Sequence, residues 1–157
     1  MNSTRRIAIT AGVVFIIATV AVLPAGALLP DVTGADYLTS FSANAAQVAV
    51  GALLFLIAYF ASAAIAVVMY PVLKTWNAGL ALGSVVFRTI EAAFYMIGLV
   101  CLLSLVTLGP EFTAAATADR TSLQAIGDVL LSLRQHAGLA AVFAFSVGAL
   151  MYYYLFF

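Results

Sequence analysis

The chain has 157 residues, of which 66% are hydrophobic and only 8% charged, with a formal net charge of zero. Soluble domains run nearer half apolar and about a quarter charged, so a water-soluble fold of this size has nowhere to hide so much apolar surface. The zero balance excludes the basic face that nucleic acid requires, and a lone cysteine (Cys101) and a lone histidine (His136) exclude an intrachain disulfide and a histidine-rich metal or haem site, so no cofactor is called for.

Four stretches reach the roughly 20 apolar residues, at about 1.5 Å of rise each, that cross a bilayer. The first covers residues 7–29 and follows Arg5 and Arg6. Its end, Ala25-Gly26-Ala27, also matches the cleavage site of a secretory signal. The apolar run exceeds the usual signal core of roughly 7 to 15 residues, which favours a retained helix. A connection with Asp31, Gly34 and Asp36 leads to the second stretch, residues 47–70, which carries no formal charge. Pro71 reads as a helix stop, and Lys74 is the only charge in the short connection that follows. The third stretch lies within residues 78–108 and contains Arg88 and Glu91. The third connection, residues 109–135, holds Glu111, Asp119, Arg120, Asp128 and Arg134. Within it, Thr121 followed by Gln124 resembles a capping box, and Leu123, Ile126, Leu130 and Leu133 recur at helical spacing. This pattern predicts a short amphipathic helix on the membrane surface. The fourth stretch is residues 137–157.

Unpaired backbone groups in hydrocarbon are costly enough that each span must be helical, and the alternating segments of a membrane barrel are absent. The predicted fold is therefore a single all-α domain over residues 1–157: an integral membrane bundle of four transmembrane helices plus the short amphipathic helix. Arg5, Arg6 and Lys74 place the N-terminus and the second connection in the cytoplasm by the positive-inside rule. Tyr70, Trp76 and Tyr152-Tyr153-Tyr154 then fall at the cytoplasmic interface, where amphipathic rings settle.

Three constellations can carry chemistry. Arg88 and Glu91 are spaced i, i+3 and share one helix face. That face continues as a small and polar stripe through Ala81, Ser84, Tyr95 and Gly98, while Phe87, Ile90, Phe94 and Ile97 lie mostly away from it. Three readings stand. The pair lines a ligand or ion pocket with Tyr95 and Ser84, or it is a structural bridge that sets helix register. Alternatively, residues 92–108 alone span and the pair sits at the interface. The second constellation is small residues at helical spacing: Gly79 and Gly83; Ala58, Ser62 and Ala66; Ala140, Ala144 and Gly148. These suit close helix packing within the chain or homodimerisation. The third is an outer mouth of Gln47, Asp128, Arg134 and His136, joined by Asn44 and Gln135, whose alternative role is that of solvated residues flanking a span. No nucleophile elbow, phosphate loop or zinc-protease motif occurs.

Several strings together resemble a bacterial family of multi-pass membrane proteins known as domain of unknown function four-three-eight-six. They are RIAITAGVVFIIATVA from Arg6 to Ala21, Asp36-Tyr37-Leu38 with Asn44 and Gln47 before GALLFL, and YPVLK from Tyr70 to Lys74. They continue as Asn77 to Gly83, Phe87-Arg88 with Glu91, Leu133-Arg134, Ala137-Gly138 and the final GALMYYYLFF. The resemblance covers nearly the whole chain and implies a helical bundle in a bacterial cytoplasmic membrane, with no stated activity. Similar proteins continue beyond the tyrosine-rich run with a basic, tryptophan-bearing connection and a further hydrophobic helix. Relative to them this chain is short at the C-terminus, which implies a short form or a truncated one.

The leading functional expectation is that the bundle binds or moves a small solute through a polar pocket lined by Arg88, Glu91 and Tyr95. The second is a non-catalytic interaction or assembly subunit, with a homo-oligomer or another membrane protein as its partner besides the lipid bilayer. A membrane enzyme comes third, with Glu91, Asp128 and His136 as its acid-base groups.

Overall fold

The computed structural model describes residues 3–156. All regular elements among them are helices: α1 (Ser3–Ala27), α2 (Tyr37–Ala43), α3 (Ala45–Leu73), α4 (Ala78–Ala114) and α5 (Thr117–Phe156). Four of these, all but α2, are long and apolar enough to cross a membrane. The all-α membrane bundle read from composition is therefore the fold. Several hydroxyls along the spans are satisfied locally, as hydrocarbon favours: Thr19 donates to the Phe15 carbonyl at 3.0 Å, Ser104 to Val100 at 2.9 Å and Ser146 to Val142 at 2.8 Å.

The helices form two close pairs joined side by side. α1 packs on α3, α5 packs along α4, and α3 meets α4 at the seam between the pairs. Small residues permit the close approaches. A Cβ on Gly51 of α3 would lie 3.2 Å from the Ala25 carbonyl oxygen of α1. Ala137, Ala141, Ala144 and Gly148 are buried on one face of α5, and a Cβ on Gly148 would lie 3.3 Å from Phe87 Cβ of α4. These contacts fix the directions. The end of α1 meets the start of α3, and the end of α5 meets the start of α4, where Leu73, Ala81 and Leu155 pack together. The start of α1, the Lys74 connection and the end of α5 thus share one end of the bundle.

At the other end α2 acts as a wedge. Its buried face, Tyr37, Leu38 and Phe41, joins Val48 and Ala52 of α3 and Leu99, Leu102, Leu105 and Leu108 of α4 in the main apolar core. The backbones of α2 and α4 nearly touch at Gly109, where a Cβ would lie 2.8 Å from both the Leu38 carbonyl oxygen and the Ser42 nitrogen.

Several local expectations are corrected. Residues 121–133 are helical, but they form no separate surface helix: they are the first part of α5, which runs unbroken for 40 residues, about 60 Å. Part of its apolar side docks on protein: Leu123, Leu130 and Leu131 pack against the main core, while Ile126 and Leu133 stay exposed. Thr121 is consequently interior to the helix and caps nothing; α5 begins at Thr117. The extra short helix lies in the first connection instead, as α2. Pro71 does not stop α3, which continues to Leu73. The start of α4 is capped by Asn77, whose Oδ1 accepts from the Leu80 nitrogen at 3.1 Å.

Gly109→Ala is expected to lower stability by about 1–3 kcal/mol, because two backbones must separate to admit the methyl group. Gly12→Ala, in open space on α1, should leave stability unchanged or slightly raised. Thermal unfolding of both purified variants in detergent checks this.

Candidate functional site

Arg88 and Glu91 lie on α4 at the seam. Arg88 is about 15 Å along α4 from Ala78, and Ser62 is about 16 Å back from the end of α3 at Leu73. Both distances are about half of a hydrocarbon thickness of roughly 30 Å, measured from the same end of the bundle. Before the pair on the same helix, Ala81 and Ser84 are fully buried inside the bundle. Arg88 Nη1 donates to Glu91 Oε2 at 2.8 Å and to Ser62 Oγ at 3.4 Å. The guanidinium lies 4.6 Å from the centre of the Phe145 ring of α5, a cation–π contact. Arg88 Nε is enclosed and has no hydrogen-bond partner. The Arg88 and Glu91 side chains are only 17% and 8% exposed, so the pair is largely withdrawn from its surroundings.

The pair borders an inner cavity of about 460 Å³. All four long helices line it: Phe15 and Thr19 from α1, Tyr59 and Ser62 from α3, Arg88, Glu91 and Tyr95 from α4, and Phe145 from α5. An outer cavity of about 490 Å³ lies farther along the seam, lined by Val32, Phe55, Tyr59, Tyr95, Gly98, Leu131, Arg134 and Gln135 among others. Phe55, Tyr59 and Tyr95 line both cavities. Tyr59 and Tyr95 stack across the seam with ring centres 4.8 Å apart and an interplanar angle of 11°, and Phe55 stacks on Tyr59 at 5.6 Å. This aromatic stack is the wall that the two cavities share.

Of the residues singled out from sequence, Arg88, Glu91 and Tyr95 come together at the inner cavity. Ser84 does not join their lining set; it is buried, and its hydroxyl donates to the Ala81 carbonyl at 2.8 Å. The four mouth residues have separate surroundings. Arg134 lines the outer cavity. Asp128 accepts the Tyr37 hydroxyl at 2.8 Å. Gln47 donates to the Leu28 carbonyl at 3.1 Å, and exposed His136 holds the Ser132 carbonyl of its own helix at 2.7 Å. Tyr59, Phe55, Ser62 and Phe145 are cavity residues that sequence reasoning missed as such. Ser62 had been placed on a small-residue face, and its hydroxyl there was the available signal; an aromatic such as Tyr59 or Phe145 inside an apolar run has none.

A charged pair held inside four long apolar helices defines a multi-pass membrane protein. Residues 10–157 match the family described as Domain of unknown function (DUF4386), and the chain belongs to that family, the one its sequence resembles. No protein with a curated description and no solved structure matches the chain.

Replacing Glu91 alone by Leu strands Arg88 and is expected to cost about 3–5 kcal/mol, whereas Arg88→Met with Glu91→Leu should recover most of that loss. Unfolding of the single and double variants in one detergent separates the two outcomes. A second expectation concerns Tyr37, outside the spans. Burial first, and then the bond to Asp128, push its hydroxyl pKa above the ordinary value of 10.0. The folded state therefore holds a proton that the unfolded chain releases, so this contribution is intact below pH of about 10 and declines as pH rises above it. Tyr37→Phe should lower stability at neutral pH by roughly 0.5–1.5 kcal/mol and shrink the alkaline decline. Unfolding midpoints of both proteins from pH 7 to 11 test the sign.

Proposed function

We propose that the bundle binds a small polar solute in the inner cavity and moves it along the seam, with Arg88 and Glu91 as the recognition pair. One observation carries this reading: Arg88 borders a cavity of about 460 Å³ with its Nε unpartnered. A bridge kept only for register is expected to have its donors satisfied, because an unmade bond at a buried charge is costly. Opposite charges 2.8 Å apart suit a zwitterion, whose carboxylate would approach Arg88 and whose cationic group would approach Glu91. The stacked Tyr59 and Tyr95 rings stand between this site and the outer cavity, so passage requires them to part.

The same reading places the chain in the cytoplasmic membrane of a bacterium with its N-terminus inside. Arg5, Arg6 and Lys74 fall at one end of the bundle; at the other end Asp31 and Asp36 stand in the first connection, Glu111 near the end of α4, and Asp119 and Arg120 near the start of α5, an excess of positive charge at the first end of the kind the positive-inside rule describes. A second reading, an assembly subunit, draws on α1, which packs on α3 and leaves Phe15, Ile16, Val20 and Leu23 exposed. Crosslinking from Val20 in native membranes would then capture a stoichiometric protein partner rather than lipid.

The solute reading is tested with the purified chain in detergent and in liposomes against a panel of amino acids and betaines. At least one zwitterion should raise the unfolding temperature saturably and exchange across the bilayer. Glu91→Gln and Arg88→Lys should weaken that binding about tenfold or more, each losing or distorting one charge-assisted bond. No saturable solute, together with an Arg88→Met, Glu91→Leu double variant at least as stable as the parent, would leave the pair as a register bridge.

A further inference from the structure

The outer cavity holds a charge that the bundle does not neutralise. Arg134 lines it, yet the one ion pair among the described residues is Arg88 with Glu91. The nearest acid in sequence, Asp128, is engaged by Tyr37 and Gln124. The Arg134 stem is held close to α4, since a Cβ on Gly98 would lie 3.5 Å from its Cγ. Apart from Gln135, the cavity's other side chains are apolar or aromatic, among them Phe55, Tyr59, Tyr95, Leu99, Leu102 and Leu131.

A partly buried cation beside a cavity without a counter-ion is an expensive arrangement, and an anion relieves it. The apolar walls favour an anion that brings its own hydrocarbon. Depth agrees with that chemistry. Gly98, against which Arg134 rests, is about 30 Å along α4 from Ala78, one hydrocarbon thickness of roughly 30 Å from the capped start of that helix and so near the level expected for lipid headgroups. We propose that the outer cavity is a binding site for an amphiphilic oxyanion, whose carboxylate or phosphate pairs with Arg134 while its hydrocarbon part occupies the apolar walls. The guanidinium provides two parallel N–H donors for such a group. The site uses neither Arg88 nor Glu91, so it stands or falls separately from the solute reading.

The full chain in phosphatidylcholine nanodiscs is titrated calorimetrically with sodium octanoate, and native mass spectrometry counts the phosphatidylglycerol retained from mixed nanodiscs. Saturable octanoate binding, retention of phosphatidylglycerol over phosphatidylcholine, or both, is expected. Octanoate alone identifies a free carboxylate as the occupant, phosphatidylglycerol alone identifies a headgroup, and mutual competition identifies one site open to both. Arg134→Gln should weaken the interaction about tenfold to a hundredfold. Arg120→Gln should leave it unchanged, because Arg120 is exposed and held by the Ala115 and Thr113 carbonyls outside the cavity. Equal binding by Arg134→Gln, or absence of both ligands from the parent protein, overturns the proposal. A diazirine-bearing fatty acid gives a readout on the unaltered chain, independent of any variant's folding. Labelling at Phe55, Leu99, Leu131 or Gly138 supports the site, and labelling confined to the outer faces of the helices overturns it.

Discussion

The close contact of α4 with α5 is the constraint from which the rest of the structure follows. In lipid, apolar side chains gain little by leaving the surrounding hydrocarbon, so helices associate where backbones can approach and dispersion contacts accumulate. Ala137, Ala141, Ala144 and Gly148 provide that face on α5, as Gly51 does for α1 on α3. Two tight pairs result. Bulkier residues stand where the pairs meet, notably Phe55, Tyr59, Tyr95 and Phe145, and rings of that size keep the pairs apart. Both cavities that the charged side chains border therefore lie at the seam.

The charges of the bundle interior lie along this seam. Arg88 reaches across it from α4 to Ser62 of α3 and lies over Phe145 of α5, so one guanidinium touches three helices. Such a group ties the two pairs together more specifically than apolar contacts do, because its donors accept only certain partners. It also leaves the bond inventory incomplete at Nε. Nη1 serves the protein, and the residue also borders the inner cavity.

The outer end solves a different problem. α4 and α5 run about 55 Å and 60 Å, far beyond a hydrocarbon core of roughly 30 Å. Beyond that length some of their apolar residues find protein cover in α2, although Ile126 and Val129 stay exposed. Leu38 and Phe41 are fully buried against α3 and α4, while Tyr37 reaches past Gly127 of α5 to Asp128. A residue larger than glycine at Gly127 would occupy the space the Tyr37 ring takes. The connection that looked like a polar loop is in this way part of the main core.

The sequence alone was enough to determine the class of fold, because bilayer thickness converts directly into a length of apolar helix. It also marked Arg88, Glu91 and Tyr95 as one inward face, since spacing on a single helix is a local property. Its errors were all matters of tertiary context. Residues 121–133 carry the pattern of a surface helix whether the apolar side meets lipid or α2 and α4, so their union with the last span was invisible. Seven residues at Tyr37–Ala43 are too few to stand out by periodicity, and their burial depends on Gly109 and Gly127, far along the chain. The pairing of Tyr59 with Tyr95, the division of the seam into two cavities and the isolation of Arg134 from any carboxylate were decided only by the tertiary structure. Each depends on which helix lies beside which, and in a bundle held together by small residues on several faces, no single helix carries that information.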